Sequence, residues 1–398
     1  MRMKLNDAGA ELYFKCMWLL TAGLYILIPA KSGILSLVYY GIHGIYLVAM
    51  FLALMGTFTS ERTDQFEQRR IMLLFGMIAT LFFSFMTTEE SISFGVHVTG
   101  ALGFLEMLLA IYLIDRVPRS ADTEAFVFKV NLIISVVFIV LSHTSYAYSG
   151  NNKGSMNLGY ANPNATAIYL LMNAALLFLY AEKIQKNAVR VLVYAICAYL
   201  FYLIYKTDSR TCLFAAGVVA LWSVLAPQRR LSRRLIPIFL LIPLGFLFVY
   251  TAMYESGQYA GLTILGKPFF SGREGFFVEK LNALEGYWLV GDVGKNPFNN
   301  MHNGPLTLLS SCGVLGYIIY LRYTGATLRH YYKGNTTKEQ TVALIVIFAI
   351  FAHSCSEAAL IVGGANYSIV VATFYWLLKG VATGDGAKNS DQQSCLGD

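Results

Sequence analysis

The sequence predicts an all-α integral membrane protein of about twelve transmembrane helices, and three observations carry that prediction. Of 398 residues, 56% are hydrophobic and only 13% charged, where a soluble chain carries about 25% charged residues. Apolar runs recur at roughly 20 residues, the length that a hydrocarbon core of about 30 Å requires. Lys and Arg fall unevenly between alternate connections, as they do when short loops on one side resist translocation. The composition excludes a disordered or nucleic-acid-binding protein and argues against a soluble globular enzyme.

In order, the predicted spans lie near 12–30, 34–57, 71–87, 93–114, 126–142, 164–181, 190–205, 211–226, 235–254, 304–322, 341–360 and 366–380. The first apolar stretch runs on into the second, so no cleavable signal peptide is expected. The two termini and every second connection hold 21 of the 30 Lys and Arg, the other connections hold eight, and Lys15 lies inside the first span. Both termini are therefore predicted to be cytoplasmic. Residues 1–383 form one polytopic domain with a long external loop at 255–303, and 384–398 read as a disordered tail. Six cysteines are scattered singly, which implies neither a disulfide framework nor a zinc site. The net charge of +7 comes partly from Arg229, Arg230, Arg233 and Arg234, a topology anchor or a lipid head-group site.

Three external connections carry more polar groups than a turn requires. The first ends in GYANPNATA, 159–167, where Asn162, Pro163 and Asn164 can close the loop and cap the sixth span. The second is KTDSRT, 206–211, which puts Lys206, Asp208 and Arg210 at the membrane surface. Arg210 there is either a snorkelling partner of Asp208 or an anchor for an anionic head group. The third is the long loop, in which Phe276, Phe277, Leu281, Leu284 and Trp288 recur at helical spacing. An amphipathic helix on the membrane surface is predicted there, with Ser271 as N-cap and Glu274 completing a capping box. Arg273 falls in the first turn of that helix, where the helix dipole disfavours a cation unless an anion is bound.

The loop closes on His302, Asn303 and Pro305. Asn303 caps the tenth span and Pro305 suits its first turn. The positive end of the helix disfavours imidazolium, so His302 is expected to be neutral and able to accept a proton. His353 and Glu357 lie four apart in the eleventh span and share a face, either as a mutually satisfied pair or as lining of a substrate path. Guanidinium and ammonium groups facing few carboxylates suit a diphosphate. A membrane setting suggests a lipid-linked one. No DxD pair stands outside to hold a divalent ion, so neither metal nor cofactor is expected.

Four of these motifs, in this order, resemble those of the bacterial O-antigen ligase and polymerase superfamily, and of Wzy-type polysaccharide polymerases in particular. His302, Asn303, Leu306, Leu309, Gly313 and Gly316 match the pattern HNxxLxxLxxxGxxG throughout. TDSRT resembles the family's Ser-Arg element, FSGREGFF its SGR element, and GYANPNATA its Asn-Pro-Asn start of a span. The match covers about residues 155–380; the first five spans match by hydropathy alone. The resemblance implies a GT-C-like, metal-independent, inverting glycosyltransferase in the plasma membrane, acting on its external face upon undecaprenyl-diphosphate-linked glycans as donor and acceptor.

It implies His302 as base and Arg210 and Arg273 as diphosphate ligands, with Lys206 in support. Asn164, Asn303, His353 and Glu357 are candidates for the substrate path, and a chain-length regulator is a candidate partner. Polymerisation of repeat units is the preferred expectation. A ligase that moves finished glycan to a lipid, cell-wall or protein acceptor is the alternative. A non-enzymatic flippase is the third reading, disfavoured because the long loop has no counterpart in the first half.

Overall fold

The computed structural model describes residues 7–27, 65–86, 94–148, 154–160, 162–225, 231–259, 261–264, 267–270, 272–292, 302–332, 337–357 and 365–379, with isolated helical positions between 38 and 52. Most of the second predicted span, together with Ser271 and the C-terminal tail, lies outside the described residues.

Twelve α-helices are described: α1 Asp7–Leu27, α2 Gln65–Met86, α3 Phe94–Leu113, α4 Ala121–Ser142, α5 Pro163–Lys183, α6 Asn187–Lys206, α7 Arg210–Leu225, α8 Leu235–Glu255, α9 Glu274–Asn282, α10 Gly304–Tyr331, α11 Lys338–His353 and α12 Ala365–Leu378. A two-residue ribbon, β1 Thr263–Ile264 with β2 Lys267–Pro268, is the only sheet among the described residues. Six helices, α2, α4, α5, α6, α8 and α10, are long and apolar enough to cross a membrane, and α7 and α12 contain shorter apolar stretches. The chain is thus an all-α multi-pass membrane protein.

Local chemistry sets the starts. Ser120 caps α4 by accepting from the Thr123 amide, Asn162 caps α5 with Pro163 at its first position, and Thr337 and Gln340 form a reciprocal capping box on α11. Each satisfies amides that the first turn leaves open.

Within the bundle α5 and α10 are central: 78% and 72% of their apolar windows are buried in the protein, against 28–39% for α2, α4, α6 and α8. The outer helices turn Phe75, Phe82, Phe214 and Val249 outward, as a lipid-facing surface would. Since α5 and α10 begin at Pro163 and Gly304, the two best-packed helices aim the loops before them at one end of the bundle.

Three elements depart from the sequence-based expectation. The hydropathy run ends at Arg322, yet α10 continues to Tyr331 because Tyr323, Thr324, Thr327 and Leu328 are buried. Tyr323 and Tyr331 meet the buried guanidinium of Arg70, which also bonds Asp115 and the Ile111 carbonyl. Second, α11 stops at His353 rather than 360. The Ser354 carbonyl accepts from the Gly304 amide at 2.8 Å and the Cys355 carbonyl from Asn303 Nδ2 at 2.8 Å, so the chain turns there to bind the start of α10. Third, α9 ends at Asn282, and Phe277 on it and Leu284 just beyond it are buried inside the protein. Its apolar face therefore serves largely as core, with Phe276 and Trp288 left outside at 37% and 39% exposure. The helix begins at Glu274, so Glu274 is not the third residue of a capping box; Gly272, at φ 86°, makes the turn and donates its amide to the Glu274 carboxylate at 2.8 Å.

The segment after α9 docks into a break in α10 at Gly313 (φ 64°, ψ −172°). There the Ser310 carbonyl, which would accept from Val314, accepts from the Asp292 amide at 2.8 Å. Val314 and Leu315 donate instead to the carbonyls of Trp288 and Leu289, at 2.8 and 3.1 Å. A Cβ at 313 would lie 2.3 Å from the Leu289 carbonyl. Only glycine permits both this conformation and this approach.

Candidate active site

One buried carboxylate gathers residues from four parts of the chain. Glu357, in the turn beyond α11, accepts at Oε1 from Asn164 Nδ2 (2.6 Å) and Arg273 Nη1 (3.0 Å). At Oε2 it meets Asn162 Nδ2 (3.1 Å) and His302 Nδ1 (3.1 Å). An ionised carboxylate only accepts, so His302 must present Nδ1–H to it. In the neutral ring Nε2 is then the nitrogen that carries the lone pair.

Glu357 is 3% exposed in its side chain, while Arg273 and His302 are 33% and 25% exposed. The carboxylate is therefore sealed, and its two charged or chargeable partners still reach the surface. Burial alone would raise the Glu357 carboxyl, but the His302 hydrogen bond and the positive charge around it win and hold it down, at about 2. The site thus combines a permanent buried anion with a guanidinium and an imidazole aimed outward.

Backbone geometry fixes those side chains. Asn303 caps α10 by accepting from the Leu306 amide at 2.9 Å while its Nδ2 grips the Cys355 carbonyl, which clamps His302 against the 354–357 turn. Arg273, at the start of α9, uses Nη1 for both Glu357 and the Ser356 carbonyl (3.1 Å). Its Nη2 and Nε stay clear of those bonds, and they form one planar edge of the guanidinium. Ser356 in turn donates to Thr211 Oγ1 at 2.9 Å, which brings the start of α7 alongside. Among the described residues the non-glycine positions with positive φ are Leu158, Asp208 and His302, each in a loop that delivers one of these groups. Such backbone is costly and concentrates at working sites.

The sequence-derived residues are therefore placed unequally. His302, Arg273, Asn164 and Glu357 meet directly, and Asn303 braces them. Arg210 does not touch Glu357; Nη1 reaches the carbonyls of Ile264 and Pro268 at 3.4 and 3.3 Å, while the adjacent Thr211 touches the cluster. Lys206 lies further out, its ammonium over the Tyr202 ring. His353 is buried, and neither ring nitrogen has a hydrogen-bond partner among the described residues. It forms no pair with Glu357, because α11 ends between them and the carboxylate is committed elsewhere.

Sequence reasoning saw Asn162 only as a cap and did not see Glu357 as the hub. The available signal was a lone acid in an apolar run opposite an excess of external cations. Among the described residues no three His, Cys, Asp or Glu side chains gather to hold a metal ion. No family model matches the chain, and no curated protein matches it. Geometry and chemistry carry the functional reading.

Proposed function

We propose that this protein is a metal-independent, inverting membrane glycosyltransferase of GT-C-like architecture. It polymerises undecaprenyl-diphosphate-linked repeat units into surface polysaccharide on the external face of the plasma membrane. The observation that carries this reading is the meeting of Arg273 and His302, from separate parts of the long loop, on one buried carboxylate.

In the reaction His302 Nε2 takes the proton from a sugar hydroxyl of the acceptor. The hydroxyl oxygen forms its bond to the anomeric carbon of the donor glycan as the bond to the diphosphate oxygen breaks. Glu357, across the ring, steadies the imidazolium that results, as an acid behind a general base does. The departing diphosphate keeps the bonding pair and is held by the free edge of Arg273 and by Arg210. Because arginine neutralises that charge before cleavage, the leaving group requires no separate proton. A carboxylate, a guanidinium and an imidazole that meet where loops open at one end of the bundle favour this over transport, for which a site near mid-membrane between repeats is expected.

Purified protein in proteoliposomes, supplied with lipid-linked repeat units, tests the proposal. A ladder of lengthened glycans supports it. Glycan delivered only to a different acceptor would make the protein a ligase, and glycan crossing the bilayer with no new bond would refute glycosyl transfer.

A further inference from the structure

The end of the bundle away from Glu357 treats its arginines in two ways. Arg70 is paired with Asp115, Arg116 with Glu67, and Arg119 with Glu124 and Glu339. Arg233, Arg234, Arg322 and Arg329 form no ion pair with a described carboxylate, and all four are exposed. Retention of positive charge on one side of a membrane explains why arginines collect at such an end. It does not explain why two of the unpaired ones, Arg322 and Arg329, line a single groove.

That groove, about 210 Å³ in volume, runs between the start of α8 and the second half of α10. Ile236, Leu240, Leu241, Ile318 and Leu321 give it an apolar lining, and Arg322 and Arg329 line it on the α10 side beyond Leu321 in sequence. Arg322, Gly325 and Arg329 share a face of α10, spaced three and seven apart. A Cβ at Gly325 would press within 3.2 Å of Leu240 and 3.7 Å of Arg329 Nη2, so glycine keeps this part of the groove open. Arg329 is already braced, Nε to the Gly325 carbonyl at 3.1 Å, which leaves both terminal nitrogens for a ligand. Arg233 donates to the carbonyls of Arg329 and Tyr332, at 2.5 Å each, and brings a third positive charge beside Arg329.

An apolar trough with a cationic, acid-free side matches one amphiphile: a lipid with an anionic phosphate head and an acyl chain. We infer that the α8–α10 groove is a binding site for an acidic phospholipid of the surrounding bilayer, its phosphate between Arg322 and Arg329 and part of one chain along Ile318 and Leu241. The groove is smaller than pockets that enclose a whole ligand, as suits a lipid whose remaining chain stays in the membrane. This site is separate from the Glu357 cluster and does not rest on the proposed glycosyl transfer.

The test is native mass spectrometry of the full chain released from nanodiscs containing equal phosphatidylglycerol and phosphatidylcholine. Wild type is expected to retain phosphatidylglycerol preferentially. An Arg322→Gln/Arg329→Gln double variant should lose that retention roughly 30-fold, two arginine contacts' worth. Ile318→Trp, which fills the trough and leaves the arginines in place, should lose it too. Equal retention of both lipids by wild type overturns the inference whatever the variants do. So does undiminished phosphatidylglycerol on either variant, each checked for folding by gel filtration.

Discussion

Replacing Glu357 with Gln changes one atom and leaves the volume almost intact, so its effect isolates the buried charge. The carboxylate accepts from four side chains; the amide has one oxygen to offer and turns its NH2 toward two donors. Hydrogen bonds to a charged group contribute about 1.5–3 kcal/mol each, and removing one partner of a fully buried pair costs about 3–5 kcal/mol. Arg273 and His302 retain access to water, so the expected destabilisation is about 2–3 kcal/mol. Catalysis should suffer more. The imidazole loses its orienting acceptor, a change that costs up to ~10⁴-fold in kcat where an Asp plays the same part; with a solvent-exposed ring, about 10²–10³-fold is expected. Initial rates of glycan elongation, beside thermal unfolding in detergent, give both numbers.

The pH dependence of stability separates charge from shape. The folded carboxyl sits at about 2, below its ordinary 4.5. Its contribution is therefore fully present above about pH 4.5 and is lost as the pH falls through that range toward 2. Wild type should show this acid slope and no change from this group between pH 5 and 8, while Glu357→Gln should lack the slope. A variant with wild-type kcat and an unchanged slope would refute the reasoning.

Other substitutions probe the rest of the account. His302→Ala should abolish transfer while donor binding, followed by fluorescence with a labelled lipid diphosphate, persists; turnover at the wild-type rate would remove the base. Arg273→Lys and Arg210→Lys lose the planar fork and should raise KM for donor about tenfold each, and unchanged kinetics in both would contradict the diphosphate site. Gly313→Ala sets a Cβ against the Leu289 carbonyl in a backbone region reserved for glycine. It should cost about 3 kcal/mol or more, seen as a Tm lower by several degrees, and a normal Tm would show that the loop does not dock there. Chelator should leave elongation intact, and a strict need for magnesium would contradict charge neutralisation by arginine.

Much of the architecture was legible because apolar length and capping residues are local properties. Asn162, Asn303 and Pro305 announce helix starts within three residues of themselves, and α5 and α10 begin as those residues dictate. The extension of α10 beyond Arg322 was not legible, because it depends on Arg70, some 250 residues away in sequence, which buries Tyr323 and Tyr331. His302 and Arg273 could be singled out from charge and position. Glu357 could not be given its role, since four-residue spacing pointed to His353, whereas the partners it meets come from α5, α9 and α10. Gly313 stood out only as a letter in a motif; the approach of a distant loop backbone is what requires it.

The central claim is that Arg273 and His302 close on the phosphates and the reacting sugar of one lipid-linked donor. A structure of the protein with a non-transferable donor analogue tests it most directly. A diphosphate oxygen should lie about 3 Å from Arg273 Nη2 or Nε, with the anomeric carbon on the Nε2 side of His302 and Glu357 still behind the ring. A diphosphate seated in a separate cavity, with the Arg273–Glu357–His302 cluster untouched, would contradict the account.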